Sequence, residues 1–186
     1  MVPVLSLWLP IVVAAVIVFI VSSLIHMVFG YHKYDWQRLP KEDETMDTLR
    51  AFNIPPGDYG VPCAGTGANL RTPEFQEKMK KGPRMFITVL PGGPFSMTAN
   101  LVNWFIYCLV VGVFTAYVTG VALAPGADYL KVFQVAGCVS FMAYALALPQ
   151  PSIWYSKSWG TTLRGMFDGL VYGLMTAGTF GWLWPG

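Results

Sequence analysis

Charge is what this chain has least of. Only 12% of its 186 residues are Asp, Glu, Lys or Arg, about half the share found in soluble domains. With 54% hydrophobic residues and a mean hydropathy of +0.49, that scarcity excludes a disordered chain and an ordinary soluble domain alike. Cysteine is scarce too: Cys63, Cys108 and Cys138. Three is an odd number, and the last two fall in apolar runs, so no disulfide framework is implied. There are two histidines, and no CxxC, HExxH or Gly-Lys-Ser/Thr spacing. That removes the motif-borne zinc and nucleotide sites. A net charge of +2 offers nothing to nucleic acid. Internal repeats are absent as well.

What is present is apolar length. Four runs, 5–29, 98–123, 129–148 and 162–184, can each cross a hydrocarbon core of about 30 Å, which takes about 20 helical residues. The first lacks the basic start and small-residue cleavage site of a signal peptide, so it reads as a retained helix. Aromatic residues mark the span ends, among them Trp8, Tyr31, Tyr34, Trp36, Trp104, Tyr129, Trp154 and Trp184, as headgroup-level anchoring favours. The expectation is an all-α membrane protein: a four-transmembrane-helix bundle with a mostly helical or irregular cytoplasmic cap between helices 1 and 2. Its parts are a first span (1–30), a polar cap loop (31–97) and spans two to four (98–186).

The few charges are unevenly placed. All but Lys131, Lys157 and Arg164 of the bases, and all but Asp128 and Asp168 of the acids, lie between His32 and Arg84. With four spans, the long loop shares a side with Lys157 and Arg164, and only Lys131 lies opposite. The positive-inside rule then puts the loop in the cytoplasm and both termini outside.

Within the loop, Pro40 to Phe52 reads as a helix with Glu42, Asp43 and Glu44 in its first turn, where the helix dipole favours anions. Asp58 to Asn69 is rich in glycine and small residues and reads as loop. Thr72-Pro73-Glu74 is a helix start, with a capping hydroxyl followed by proline. That helix ends at Gly82-Pro83. Met85 to Leu90 is apolar and β-favouring. The whole segment is expected to fold as a cap on the bundle. Lys78, Lys80, Lys81 and Arg84 suit anionic lipid headgroups.

The strongest pattern lies on the fourth span. Gly165, Gly169, Gly173, Ala177 and Gly181 recur every four residues, a small-residue stripe of the kind that lets helices approach closely in lipid. Cys108, Gly112, Ala116 and Gly120 form a shorter one on the second span. Two uses are open: packing within one bundle, or a contact between subunits of a homo-oligomer or larger membrane complex. Beside the long stripe runs a polar row: Arg164, Asp168, Tyr172 and Thr176. Arg164 and Asp168 are spaced to pair on one helix face. An ionisable residue inside a span is a functional-site hypothesis by default.

Alternating helix direction brings His26, Asn100, Asn103 and Gln150 to the same leaflet as Asp168. The candidate ligand or proton site is therefore Asp168, Arg164, His26, Asn103, Asn100 and Tyr172. No catalytic constellation is complete, and no cofactor or metal is expected. His26, His32 and Cys63 have ligating atoms, but the histidines are six apart and do not share a helix face. Three functions remain. The first is an oligomerising structural or accessory component of a membrane assembly, which the stripes suggest. The second is a small transporter or channel using the polar layer around Asp168. The third is a metal- or haem-binding redox protein.

Pro56-Gly57-Asp58-Tyr59, Val61-Pro62-Cys63, Phe75-Gln76-Glu77-Lys78-Met79-Lys80, Ser152-Ile153-Trp154 and the run from Thr176 to Pro185 resemble a family of small four-span bacterial inner-membrane proteins. The resemblance covers most of the chain. It implies the membrane setting and carries no assigned activity, substrate or site.

Overall fold

The computed structural model describes residues 1–94 and 96–186 and is mostly helical. A 3₁₀ turn, Val4–Leu7, leads into α1, Trp8–Met27, and a second such turn is Tyr31–Tyr34. Then come α2, Glu42–Ala51; β1, Gly57–Val61; α3, Pro73–Lys81; and β2, Met85–Val89. The long helices follow: α4, Thr98–Ala122; α5, Tyr129–Phe141; a π turn, Met142–Leu146; α6, Pro149–Tyr155; and α7, Trp159–Trp182. The chain divides into two compact units, Met1–Gln37 with Ser96–Gly186, and Arg38–Phe95.

Three helical stretches are long and apolar enough to cross a membrane: Val4–Met27, Thr98–Ala122 and Tyr129–Tyr155. The third runs past the expected end at Leu148, because Pro149 sits in the first turn of α6, where a missing backbone donor costs least. The fourth run forms α7, starting at Trp159, earlier than expected. It is as long as the others, but Arg164, Asp168 and its glycines leave it less apolar.

In the first unit α7 packs chiefly on α5 and also on α1, and α4 packs on α1 and α5. Each buried face follows helical spacing. On α1 it is Ile11, Ala14, Ala15, Val18, Ser22 and Ile25; on α4 it is Cys108, Val111, Gly112, Thr115, Ala116, Thr119 and Gly120.

Both small-residue stripes are used inside the chain. A methyl group at Gly120 would overlap the Val2 carbonyl oxygen, and Val2 N donates to Gly120 O at 2.7 Å. Gly112 faces Ile11, and Ala116 is buried with Leu7 and Ile11. On α7, Gly165 faces Leu148, Gly169 faces Tyr144 and Ala145, Gly173 faces Phe141, Ala177 faces Gly137, and Gly181 faces Tyr129. The whole α7 stripe therefore lies along α5 and the turn that follows it.

The second unit adds a strand pair to the mostly helical or irregular segment expected. Residues 58–61, expected as loop, form with Gly57 a strand paired antiparallel with β2, Gly57 opposite Val89 and Val61 opposite Met85. Gly57, Asp58 and Gly60 are poor strand formers, but the β-favouring partner Met85–Val89 overrides that weak local preference. Thr88 Oγ1 donates to Asp58 at 2.6 Å across the pair. The helices fall where expected: Thr72 caps α3 by accepting from Phe75 N at 3.3 Å, and Gly82, at φ +61°, ends it.

Candidate functional site

The site is built where α1 ends. Val28 N and Phe29 N both donate to Leu24 O, and Gly30 then turns the chain with φ +61°. That conformation suits glycine, which has no Cβ to clash with the backbone. The 3₁₀ turn that follows lays Tyr31 and His32 against α7. His32 thereby comes back over the last turn of α1, and its ring stacks on His26, centroids 4.4 Å apart and planes within 4°.

Asp168 is the acidic centre, only 3% exposed on α7. The Tyr31 hydroxyl donates to Asp168 Oδ1. His32 Nε2 lies 2.8 Å from Asp168 Oδ2, an ion-pair distance, but the ring N–H axis is off line, so this buried nitrogen has no well-formed hydrogen bond. His32 Nδ1 is 2.7 Å from Asp35 Oδ2. Arg164 in turn grips Asp35 Oδ1, through Nε at 2.8 Å and through a terminal nitrogen. His26 Nδ1 is bonded to Ser22 O at 2.9 Å. A carbonyl only accepts, so Nδ1 carries the hydrogen.

Two environments outside the spans are shifted. Burial would raise the Asp35 carboxyl, but hydrogen bonds from His32 and Arg164 outweigh it and hold it below its usual value. Burial, and then the hydrogen bond to Asp168, push the Tyr31 hydroxyl well above its usual value. Tyr31 therefore stays a donor.

The structure brings together Asp168, His26 and His32, and places Arg164 next to them through Asp35. It does not pair Arg164 with Asp168. The guanidinium instead takes an acceptor from another segment, with two of its donors on the one oxygen Asp35 Oδ1. Tyr172 is buried one turn beyond Asp168. Its ring packs edge-on against Trp104 and Tyr144, and its hydroxyl has no hydrogen-bond partner among the described residues. Asn100, Asn103 and Gln150 are exposed. Cys63 is exposed in the second unit, as are Lys78, Lys80, Lys81 and Arg84.

Two participants, Tyr31 and Asp35, were missed at the level of sequence. Tyr31 reads as an interface anchor, and Asp35 as one acid among many in a polar loop. The signal available was Gly30: a glycine just past a helix end announces a chain reversal, and the five residues Tyr31-His32-Lys33-Tyr34-Asp35 follow it.

A buried carboxylate facing one imidazole, which stacks on a second and exposed imidazole, can bind a small polar ligand or ion, or pass a proton inward from the surface. No known protein family, curated protein or solved structure matches the chain.

Proposed function

We propose that the chain is a four-span integral membrane protein of the bacterial inner membrane that binds a small polar ligand or ion at the cytoplasmic end of its bundle. The working centre is His26, His32 and Asp168. The observation that carries this reading is the route from surface to buried acid: His26 is exposed, stacks on His32, and His32 faces Asp168. A network serving only to hold helices together needs no such opening.

The 24 residues of α7 extend about 36 Å, enough for a fourth span. The basic residues of 31–97, with Lys157 and Arg164, favour a cytoplasmic loop, which would make residues 38–95 a cytoplasmic cap. Binding is favoured over conduction because Leu7, Val18, Val132 and Phe180, all without exposed surface, fill the bundle core. The glycine stripes lend no support to an oligomer, since both are occupied within the chain.

Asp168→Asn tests this reading by reversible unfolding in bicelles. A network built for stability loses about 3–5 kcal/mol when one partner of a buried pair is removed. A binding centre is held against the cost of burying Asp168, so its loss leaves stability within about 1 kcal/mol of wild type, or raises it. A loss of several kcal/mol refutes the proposal.

A further inference from the structure

We propose that the ligand is a divalent first-row transition-metal ion, held by His26, His32 and Asp168; this rests on the binding reading above. One ligating atom from each of the three lies within 4.8 Å of the others. Two donors on one ion at about 2.1 Å sit at most about 4.2 Å apart, so by separation alone the set is within about 1 Å of closing. Two imidazoles and one carboxylate suit zinc, iron, manganese or cobalt rather than a thiolate-seeking metal. Three protein donors leave positions for water or an exogenous ligand, as in catalytic rather than structural sites.

The hydrogen bonding around the set carries the argument further than proximity does. Metal-binding histidines characteristically donate their other ring nitrogen to a carboxylate or a backbone carbonyl, which fixes the tautomer. Both histidines have that arrangement. His32 Nδ1 meets Asp35, itself clamped by Arg164, and His26 Nδ1 meets the Ser22 carbonyl. Each ring is left with Nε2. On His32 that atom lies 2.8 Å from Asp168 Oδ2 without a well-aligned hydrogen bond between them, so a cation there would be met by both donors. Arg164 offsets Asp35, which leaves the negative charge of Asp168 for the cation. The stacked rings require one movement. A bound metal lies in the plane of each imidazole, and parallel rings cannot both meet one ion. His26 is free to turn, being exposed and held by one hydrogen bond to its own helix.

The full-length protein, purified in metal-free detergent and titrated with Co²⁺ alone, tests this by elemental analysis and visible absorption. The expected result is one Co²⁺ per chain with ligand-field bands. His26→Ala and Asp168→Asn should each weaken binding at least about tenfold, as for loss of a direct ligand, and Cys63→Ala should leave it unchanged. Asp35 is a positioning residue. Asp35→Asn should weaken binding about 10–100-fold and shift the bands, which a merely structural residue would not do. Substoichiometric Co²⁺ in wild type, or unchanged affinity in His26→Ala, overturns the assignment. His26 is exposed, so that variant folds and keeps the test decisive. If wild type takes no Co²⁺ while Asp168→Asn unfolds like wild type, the metal falls and the binding reading stands. If wild type takes no Co²⁺ and Asp168→Asn is strongly destabilised, both fall.

Discussion

Adding one methyl group at Gly169 separates packing within the bundle from packing between subunits. The new Cβ would lie 2.9 Å from Ala145 Cβ and 2.9 Å from the Tyr144 carbonyl oxygen. One of these is backbone, so no rotamer change relieves it, and α7 must move away from the π turn. Overpacking costs about 1–3 kcal/mol. Two contacts this short place Gly169→Ala in the upper half of that range. Helix propensity returns up to about 1 kcal/mol for Gly→Ala, so the expected net loss is about 1–2 kcal/mol. Gly178, on the same helix, is the control. Its nearest neighbour would be the Tyr129 hydroxyl at 3.7 Å, an ordinary contact, so Gly178→Ala should be neutral or gain up to about 1 kcal/mol. Two substitutions of identical chemistry should thus differ by about 2 kcal/mol or more. Unfolding in bicelles, followed by fluorescence of the seven tryptophans, measures both, with light scattering for subunit number. A Gly169→Ala protein as stable as Gly178→Ala refutes the packing of α7 on residues 144–145. A folded variant whose only change is a lost oligomer returns the stripe to an intersubunit role.

Two further predictions concern topology and the turn after α1. In a Cys138→Ala background, with Cys108 buried, a membrane-impermeant maleimide should label Cys63 in inverted vesicles and spare it in intact spheroplasts; the reverse pattern refutes a cytoplasmic loop. Gly30→Ala should cost about 1–2 kcal/mol from its positive φ alone, since a methyl there meets nothing within 4 Å, and Gly30→Asn should cost clearly less because asparagine tolerates that conformation. Equal losses for the two would show that the turn is not held at φ +61°.

The long-range architecture was legible because lipid imposes length and close packing imposes small residues. Three apolar runs became long helices within about three residues of their expected ends, the run at 129–148 became α5, the π turn and α6 and ran on to Tyr155, and the four-residue glycine period became the contact of α7 with α5. What failed was the assumption of a continuous helix. His26 and His32 are six apart and off each other's face only if the helix runs on through Gly30. The chain instead reverses there, and the same six residues place the rings in contact. Pairing Arg164 with Asp168 failed for a related reason. Helical spacing ranks partners on one helix, but Asp35 arrives from another segment and takes the guanidinium. The strand at 57–61 was invisible locally because its case rests on a partner almost thirty residues away.

The legible and illegible parts are mechanically joined. The stripe Gly165, Gly169, Gly173 and the row Arg164, Asp168, Tyr172 are offset by one residue, which is about 100° around a helix. Seating the stripe on α5 therefore sets the rotation of α7, and that rotation aims Asp168 at the turn carrying Tyr31 and His32. A bulkier stripe would translate α7 and swing the carboxylate as well, so a defect at Gly169 should be felt at the cluster although Gly169 touches none of its side chains. Of the four groups around Asp168 and Asp35, Tyr31 and Arg164 are held by hydrogen bonds that cross between segments, and His32 is held by Asp35 while facing Asp168 at 2.8 Å. His26 is bonded only within its own helix. The cluster therefore has a rigid side, set by the glycine contact, and one adjustable ring at its opening. Sites that must admit and release a ligand combine a fixed constellation with a movable member in this way.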